Sequence, residues 1–373
     1  MEGSKSQPCK KCKNEDAPFN FRNAPTCRDC YMLYIEQKTA KGLRALHTDI
    51  RTSTLPEPRR YVAGLSFGAS SSAMVCALDK HTHREMSKKS TSLFEVLAVH
   101  VDTDLSDHHG QTPAMNMLNR YREKFPNVKF QCVHLGEVLS LKTVDWSTLP
   151  GLSAQGTQSA RLQKMFDTLP SVTAKADILR LLTRHLLIHV AMAQEYGALL
   201  LGYTTTALAS LTMAEVANGR GFSVPWQVQD SRSQVCTYED RKAVSKTEFP
   251  IYHPMRETFR NEVKIYNSLI PSLAEIVPNT GTSPGVVSHK DTSIDEVMTR
   301  YFDGVEESLS GIVANVVRTT GKLAKLRGNA QCGLCGVTTD EQGDSRWAGE
   351  LGEEESNQQA TRLCYGCKRS ING

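Results

Sequence analysis

Hydrophobic and polar positions fall into blocks along this chain, and the period of the blocks alternates between that of a strand and that of a helix. Tyr61–Leu65 is a short apolar run, followed by a turn of small hydroxylated residues and a helix from Ser70 to about Leu78. A polar loop, His81 to Ser92, leads to Phe94–Val101, a near-continuous apolar run typical of a parallel strand buried on both faces. That run ends at Asp102, at the strand end where such sheets place ligand residues. A helix over Thr112–Phe125 and a strand over Lys129–His134 follow. Leu141 to Ser171 shows no clear period and reads as a long, mobile insertion. Ala174–Tyr196 is a helix with Ile178, Leu181, Leu182, His185, Ile188 and Ala191 along one side. Ala198–Gly202 is the next strand, and Thr204–Gly219 a helix opened by threonines suited to capping it. Val244–Pro254 reads as extended, Glu257–Leu269 as a helix, and Ile294 to about Val317 as another. Strands alternating with helices at this spacing predict an α/β fold with a doubly wound parallel sheet.

Breakers divide the rest. A helix is expected over Tyr31–Leu46, and Pro56 and Pro58 mark a boundary after it. Pro271 to Asp291 is rich in Pro, Gly, Ser and Thr and reads as a linker. The expected layout is a ribbon over 1–34, a helical linker over 35–58, the α/β domain over 59–270 and a linker over 271–293. A helix over 294–328 and a second ribbon over 329–373 follow, the latter holding an acidic loop, 340–359, expected to be disordered.

Composition narrows the picture only a little. The 39% hydrophobic and 23% charged content is that of an ordinary folded domain. A net charge of +4 permits contact with nucleic acid without requiring it. No apolar run approaches a membrane span, and Met1–Lys5 has no hydrophobic secretory region, so a cytoplasmic protein with no membrane partner is expected.

The cysteines change the picture more. Eight of the eleven form four Cys-x-x-Cys pairs at the two ends. Cys9, Cys12, Cys27 and Cys30 are two pairs fourteen residues apart; Cys332, Cys335, Cys364 and Cys367 are two pairs twenty-eight apart. Two such turns bring four thiolates to the corners of a tetrahedron, the geometry of structural Zn²⁺. The wider gap adds little closure entropy. A redox function needs only one pair. Two zinc sites are expected, with one pair from each end joining in a shared site as the alternative; iron also fits four thiolates, though tetrahedral Cys₄ ribbons favour zinc. Cys76, Cys132 and Cys236 are isolated and read as small core residues. Lys10, Lys11, Lys13 and Arg28 on the first ribbon are candidate phosphate contacts, which solvated surface charge explains nearly as well; Lys38, Lys41 and Arg44 form a basic helix face for which a solvated helix end is the commoner explanation.

The strand–turn–helix at Ser66-Phe67-Gly68-Ala69-Ser70-Ser71 presents backbone N–H groups and a helix N-terminus to one point, an arrangement that attracts phosphate. It resembles the Ser-Gly-Gly-x-Asp-Ser loop of the PP-loop ATP pyrophosphatases, which cradles the pyrophosphate of ATP while a substrate is adenylated. Phe67 stands for the first glycine and Ser70 for the aspartate. Val101-Asp102 matches the end of the family's second strand. Leu201-Gly202-Tyr203-Thr204-Thr205 resembles its Gly-His-Asn-x-x-Asp element without the histidine and aspartates. His253-Pro254-Met255-Arg256-Glu257 resembles its Arg-Pro-Leu stretch. The tRNA-thiolating branch carries a Cys-x-x-Cys before an Arg-rich helix; here Val172 to Lys175 stand there, followed by Ala176–Arg180, and no cysteine is present. Paired-cysteine ribbons at both ends are a feature of that branch. Val316–Thr319 with Lys322-Leu323 matches its non-catalytic, degenerate members.

The resemblance implies a PP-loop, Rossmann-like core flanked by zinc ribbons. It implies a non-catalytic subunit that pairs with a catalytic tRNA thiolase paralogue and helps hold tRNA. The pair would 2-thiolate the wobble uridine with sulfur from a ubiquitin-related thiocarboxylated carrier. Ser66, Gly68, Ser70, Ser71 and Ser72 would form the degenerate phosphate loop. No catalytic residue is assigned to this chain. Mg²⁺ needs hard oxygen ligands and sulfur transfer needs activated thiolates, so their absence counts against ATP use, and the bulk of Phe67 counts against phosphate approach. Two other readings are an active ATP-dependent tRNA thiolase or adenylyltransferase, and a zinc-ribbon RNA-binding protein with a purely structural α/β core.

Overall fold

At the N-terminus Arg22 and Asn23 take positive φ (49° and 62°) and fold β1 (Phe19–Phe21) back on β2 (Ala24–Thr26) as a two-stranded ribbon. Helix α1 (Arg28–Arg51) grows directly out of this ribbon. It begins earlier than the sequence suggests and crosses the expected boundary between ribbon and helical linker. The computed structural model describes residues 8–13, 16–51, 59–89, 94–106, 111–152, 155–277, 291–325, 328, 330–339 and 363–373. The acidic stretch 340–359 lies outside these.

The main sheet is built around β3 (Arg59–Gly64), which pairs in parallel with β4 (Phe94–Asp102) on one side and β6 (Ala198–Leu201) on the other. With β5 (Lys129–His134), β7 (Ser231–Glu239) and β8 (Lys242–Tyr252), the order is β5-β4-β3-β6-β8-β7. All pairs are parallel except the β7–β8 hairpin at the edge. Crossovers are made by α2 (Ala69–Lys89), α3 (Pro113–Lys124), α4 (Gln158–Thr168), α5 (Val172–Ala193) and α6 (Thr205–Ala217). The chain winds one way from β3 through β4 to β5, then returns to β6 on β3's other side. The loops after β3 and β6 therefore diverge and leave a crevice at their C-terminal ends, the usual ligand position in such sheets.

Strand periodicity sorts residues between two cores. Val62 joins Leu97, Val99 and the apolar side of α5 on one face; Tyr61 and Ala63 join Val96, Ala98, α1 and α2 on the other. Each fully buried valine or leucine among them contributes about 1.5–3 kcal/mol. A third cluster packs α6 against α7 (Val224–Val228) and the final long helix, α10 (Ile294–Thr320). Helices α8 (Arg260–Leu269) and α9 (Pro271–Ile276) precede α10, and α11 (Tyr365–Asn372) closes the chain. Glu306 of α10 is buried and accepts from the N–H groups of Arg260 and Asn261 (3.2 and 2.8 Å), so it caps α8 from a distant part of the chain.

Three expectations are corrected. Leu141–Ser171 is not a loose insertion. Beside 3₁₀ turns at Leu135–Ser140 and Trp146–Thr148 it holds α4, and Leu141, Val144, Leu149, Leu162, Met165, Phe166 and Leu169 are buried in the first core. Its elements are short and individually capped, by Asp145 on the Ser147 N–H and Thr157 on the Ala160 N–H, so no long period marks them. The stretch after His81 continues α2 to Lys89 rather than forming a loop. The expected linker opens as α9, with Leu273 and Ile276 buried; residues 278–290 lie outside the described ones.

Candidate functional site

The crevice is lined by the β3–α2 turn. After Gly64, the Leu65 N–H still donates to Val99 O (2.9 Å), and the chain then turns through Ser66–Gly68. The hydroxyls hold the turn closed. Ser71 Oγ accepts from the Ser66 N–H (3.2 Å), donates to Gly68 O (3.1 Å) and lies 3.1 Å from Ser66 Oγ. Ser72 Oγ donates to Gly68 O (2.8 Å) and meets the Tyr121 hydroxyl at 2.6 Å. Gly202 lets β6's end pass the turn: a Cβ there would lie 2.8 Å from Ser71 Cα. The first turn of α2 carries no acidic residue, so its N–H groups and positive dipole end open uncompensated onto the crevice.

Phe67 does not fill the crevice, contrary to the expectation from its bulk. Its φ of 58° is accompanied by a ring turned against the second core, where it stacks on His100 (centroids 4.0 Å, 25°) and lies 5.3 Å from Tyr121. His100 Nδ1 pairs with Leu65 O (2.8 Å), and burial lowers the imidazole pKa. The cavity that remains has a volume of about 850 Å³. Ser66, Gly68, Ser70 and Ser71 line it; Ser72 faces Tyr121 instead. The rest of the floor is apolar, from Leu65, Val99, Leu187 and Leu201, with Arg260 and Lys264 of α8 among its polar lining.

The chemistry of the lining is limited. Its carboxylate is Asp303, paired with Arg260 at 2.7 Å. Asp102 is buried at the end of β4, and its Oδ1 accepts from the Asp104 N–H (3.1 Å). Among the described residues no cysteine lines the cavity. Burial pushes the Cys76 thiol up to about 11, and raises Cys132 and Cys236 as well. The turn therefore keeps backbone N–H groups of the kind that bind phosphate, while among the described residues the lining offers one carboxylate, already paired with Arg260, and no thiolate.

The eight paired cysteines form two sets, each from one end of the chain. In each, the sulfurs all lie within 4.8 Å of one another. Cys12 and Cys27 are 3.5 Å apart and Cys335 and Cys364 3.8 Å, close to the ~3.8 Å edge of a tetrahedron with ~2.3 Å metal–sulfur bonds. Both sets fit a tetrahedral metal ion. No shared site forms, because the first set belongs to the ribbon that leads into α1, on one face of the sheet, and the second lies in the core on the other. In the first set, N–H groups of Cys12 and Cys27 lower the Cys9 thiol to about 6. Lys10, Lys11 and Lys13 beside it are exposed. Arg28 donates to Leu269 O, and Lys38 and Lys41 share the single carboxylate of Glu257 (2.7 and 2.8 Å), so much of the expected basic face is engaged within the chain.

The second set touches residues that sequence reasoning missed. Arg220, fully buried, donates to both carboxylates of a pair from two helices, Asp177 of α5 and Glu215 of α6. Against the cost of burial, Arg180 and Arg220 hold the Glu215 carboxyl down to about 2. Ser370 of α11 donates to Asp177 Oδ2 (2.7 Å). His185 bridges Thr143 Oγ1 (3.1 Å) and Leu334 O (2.8 Å), and burial lowers its pKa to about 4. Arg220 sits between two glycines, a context that reads as an exposed loop.

Comparison with known proteins agrees with this geometry. Residues 293–362 match the family model described as cytoplasmic tRNA 2-thiolation protein 2. A protein of that name from Phaeosphaeria nodorum is 32% identical over 386 residues, covering 99% of this chain and 96% of that protein. One from Pyrenophora tritici-repentis is 31% identical, covering 98% and 95%. Among solved structures, the U34-tRNA thiolase NcsA from Methanococcus maripaludis with its [4Fe-4S] cluster superposes with a TM-score of 0.56 at 14% identity, over 94% of this chain and 98% of that one. The likeness establishes the PP-loop fold.

Proposed function

This chain belongs to the cytoplasmic tRNA 2-thiolation protein 2 family, and we propose that it is the non-catalytic subunit of a tRNA thiolase heterodimer. The observation that carries the proposal is the cavity. It keeps the phosphate-loop backbone, but its carboxylate is bound to Arg260 and no described cysteine lines it. A fold preserved around a site without reactive groups suits a chain that resembles its catalytic partner in shape and leaves the chemistry to it. In this reading the partner is a thiolase paralogue, which modifies the wobble uridine with sulfur from a ubiquitin-related thiocarboxylated carrier. Zinc occupies both cysteine sets as a structural ion. Lys10, Lys11 and Lys13 meet tRNA phosphates, a contact that weakens steeply as salt rises.

Pyrophosphate–ATP exchange tests the reading. The purified chain with tRNA is expected to show none, while the chain co-purified with the paralogue supports thiolation. Alanine at Ser70, which makes no bond that holds the turn, should leave thiolation by the pair unchanged. Exchange by the chain alone that disappears when Ser70–Ser72 are replaced would overturn the proposal in favour of an active thiolase.

A further inference from the structure

The C-terminal cysteine set borders an ion network whose charges do not balance. Arg180, Arg184 and Arg220 stand against two carboxylates, Asp177 and Glu215, whose side chains are fully buried. Asp295, near Arg180, bonds to none of the three: its buried Oδ2 has no hydrogen-bond partner among the described residues, and burial raises its pKa. Arg184 has no carboxylate partner among the described residues. It donates to Gln227 Oε1 and to Ser233 Oγ (2.9 Å), and lines a void of about 30 Å³ that Cys335 also lines. Arg220 Nη1 donates to Asp177 Oδ2 (2.9 Å) and lies 4.0 Å from Cys367 Sγ. A guanidinium held away from water without an anion is costly. A divalent ion bound by four thiolates carries a net charge of about −2 and supplies that anion.

We propose that Arg220 and Arg184 are counter-ions of the C-terminal metal–thiolate centre, which is thereby the missing anion of the network that clamps α5 to α6. The contact is steric as well as electrostatic. A Cβ on Gly366 would lie 2.3 Å from Arg220 Cγ, so the backbone beside Cys367 rests on the arginine side chain. Ser370 and His185 fasten the same module to α5. Helix α5 supplies Leu179, Thr183 and Leu187 to the large cavity, and α6 supplies Ala207. Metal occupancy at one end of the network therefore bears on the cavity walls at the other. Arg220 and Arg184 are positioning residues in this arrangement. The inference rests on a divalent metal in the C-terminal set and is independent of the thiolation reading.

The test uses the full chain. Chelator-driven metal release is followed in wild type, Arg220→Met and Arg220→Lys, with the N-terminal centre as the internal control. Loss of such an outer-shell partner lowers metal affinity by about 10–100-fold. The methionine variant is expected to release the C-terminal metal faster by a factor in that range, the lysine variant to recover part of the loss, and the N-terminal phase to stay unchanged. Chelation of wild type should raise amide exchange across 172–193 and 205–217. Unchanged C-terminal release in Arg220→Met, or metal loss from wild type with exchange in α5 and α6 unaltered, overturns the inference. A chain with no metal at the C-terminal set overturns it together with the metal assignment. If Arg220→Met does not fold, the wild-type exchange measurement decides.

Discussion

The two cysteine sets have the same ligands in different settings. The N-terminal set sits on a two-stranded ribbon at the surface, with Cys12 exposed, and is tied to the body through Arg22, whose guanidinium pairs with Glu262 at 2.6 Å. All four C-terminal cysteines belong to the main core, beside a fully buried arginine. Ligand spacing thus specifies that a metal can be held, while the surroundings decide how much of the fold depends on it. The first set organises a ribbon; the second is part of the α/β domain.

The comparison breaks most visibly at Glu215. Glu215→Ala leaves Arg180 and Arg220 short of a buried anion and is expected to cost about 3–5 kcal/mol, read from urea unfolding. Gly366→Ala comes next: the added methyl meets Arg220 and is expected to cost about 1–3 kcal/mol by the same measurement, with faster metal release from the C-terminal set only. Acid titration sharpens the same point. The Glu215 pKa is lowered to about 2, so its contribution is complete above the ordinary glutamate pKa, near 4.3, and is lost as pH falls through 2. Tryptophan fluorescence, which includes Trp226, should report that loss in wild type, and Glu215→Gln should flatten the slope in this window. At the surface set the effects shrink. Arg22→Ala breaks a pair whose Glu262 side is buried and is expected to cost about 1–2 kcal/mol, with loosening confined to the ribbon and the start of α8 in amide exchange. Phe67→Gly serves as the control away from both sets. It relieves about 1–2 kcal/mol of left-handed strain but loses a ring stack of about 0.5–1.5 kcal/mol and about 1–2 kcal/mol of half-buried apolar surface against the second core, so stability should fall by at most about 1 kcal/mol.

What the sequence disclosed follows the same division between local and distant causes. Strands β3 to β6, the first half of α2, and helices α3 and α5 were legible because their apolar period is local and strong; α4, short and individually capped, was not. Both cysteine sets were legible because Cys-x-x-Cys is a local turn. Strand β7 was not: of Ser231–Glu239 its buried residues are Ser233, Val235 and Cys236, too few apolar positions to show a period. Arg220 was not, because its partners Asp177 and Cys367 lie 43 and 147 residues away, and nothing local separates a buried arginine from a solvated one. Phe67 was placed in the phosphate position by alignment with a glycine. Its positive φ sends the ring to His100 instead, an outcome set by a partner on another strand.

Helix α8 shows what this reach across the chain means in practice. At ten residues it is too short to persist alone in water. One end of its first turn is held by Glu306 from α10, and its Glu262 grips Arg22 while the Glu262 carbonyl takes the Tyr31 hydroxyl (3.1 Å). Segments from before and after the α/β core thus splint the same helix. Trimming at 34 or at 293, where composition invites a cut, removes one splint each time. The piece left behind would have to carry α8 half-supported, so the protein is better handled whole than in parts.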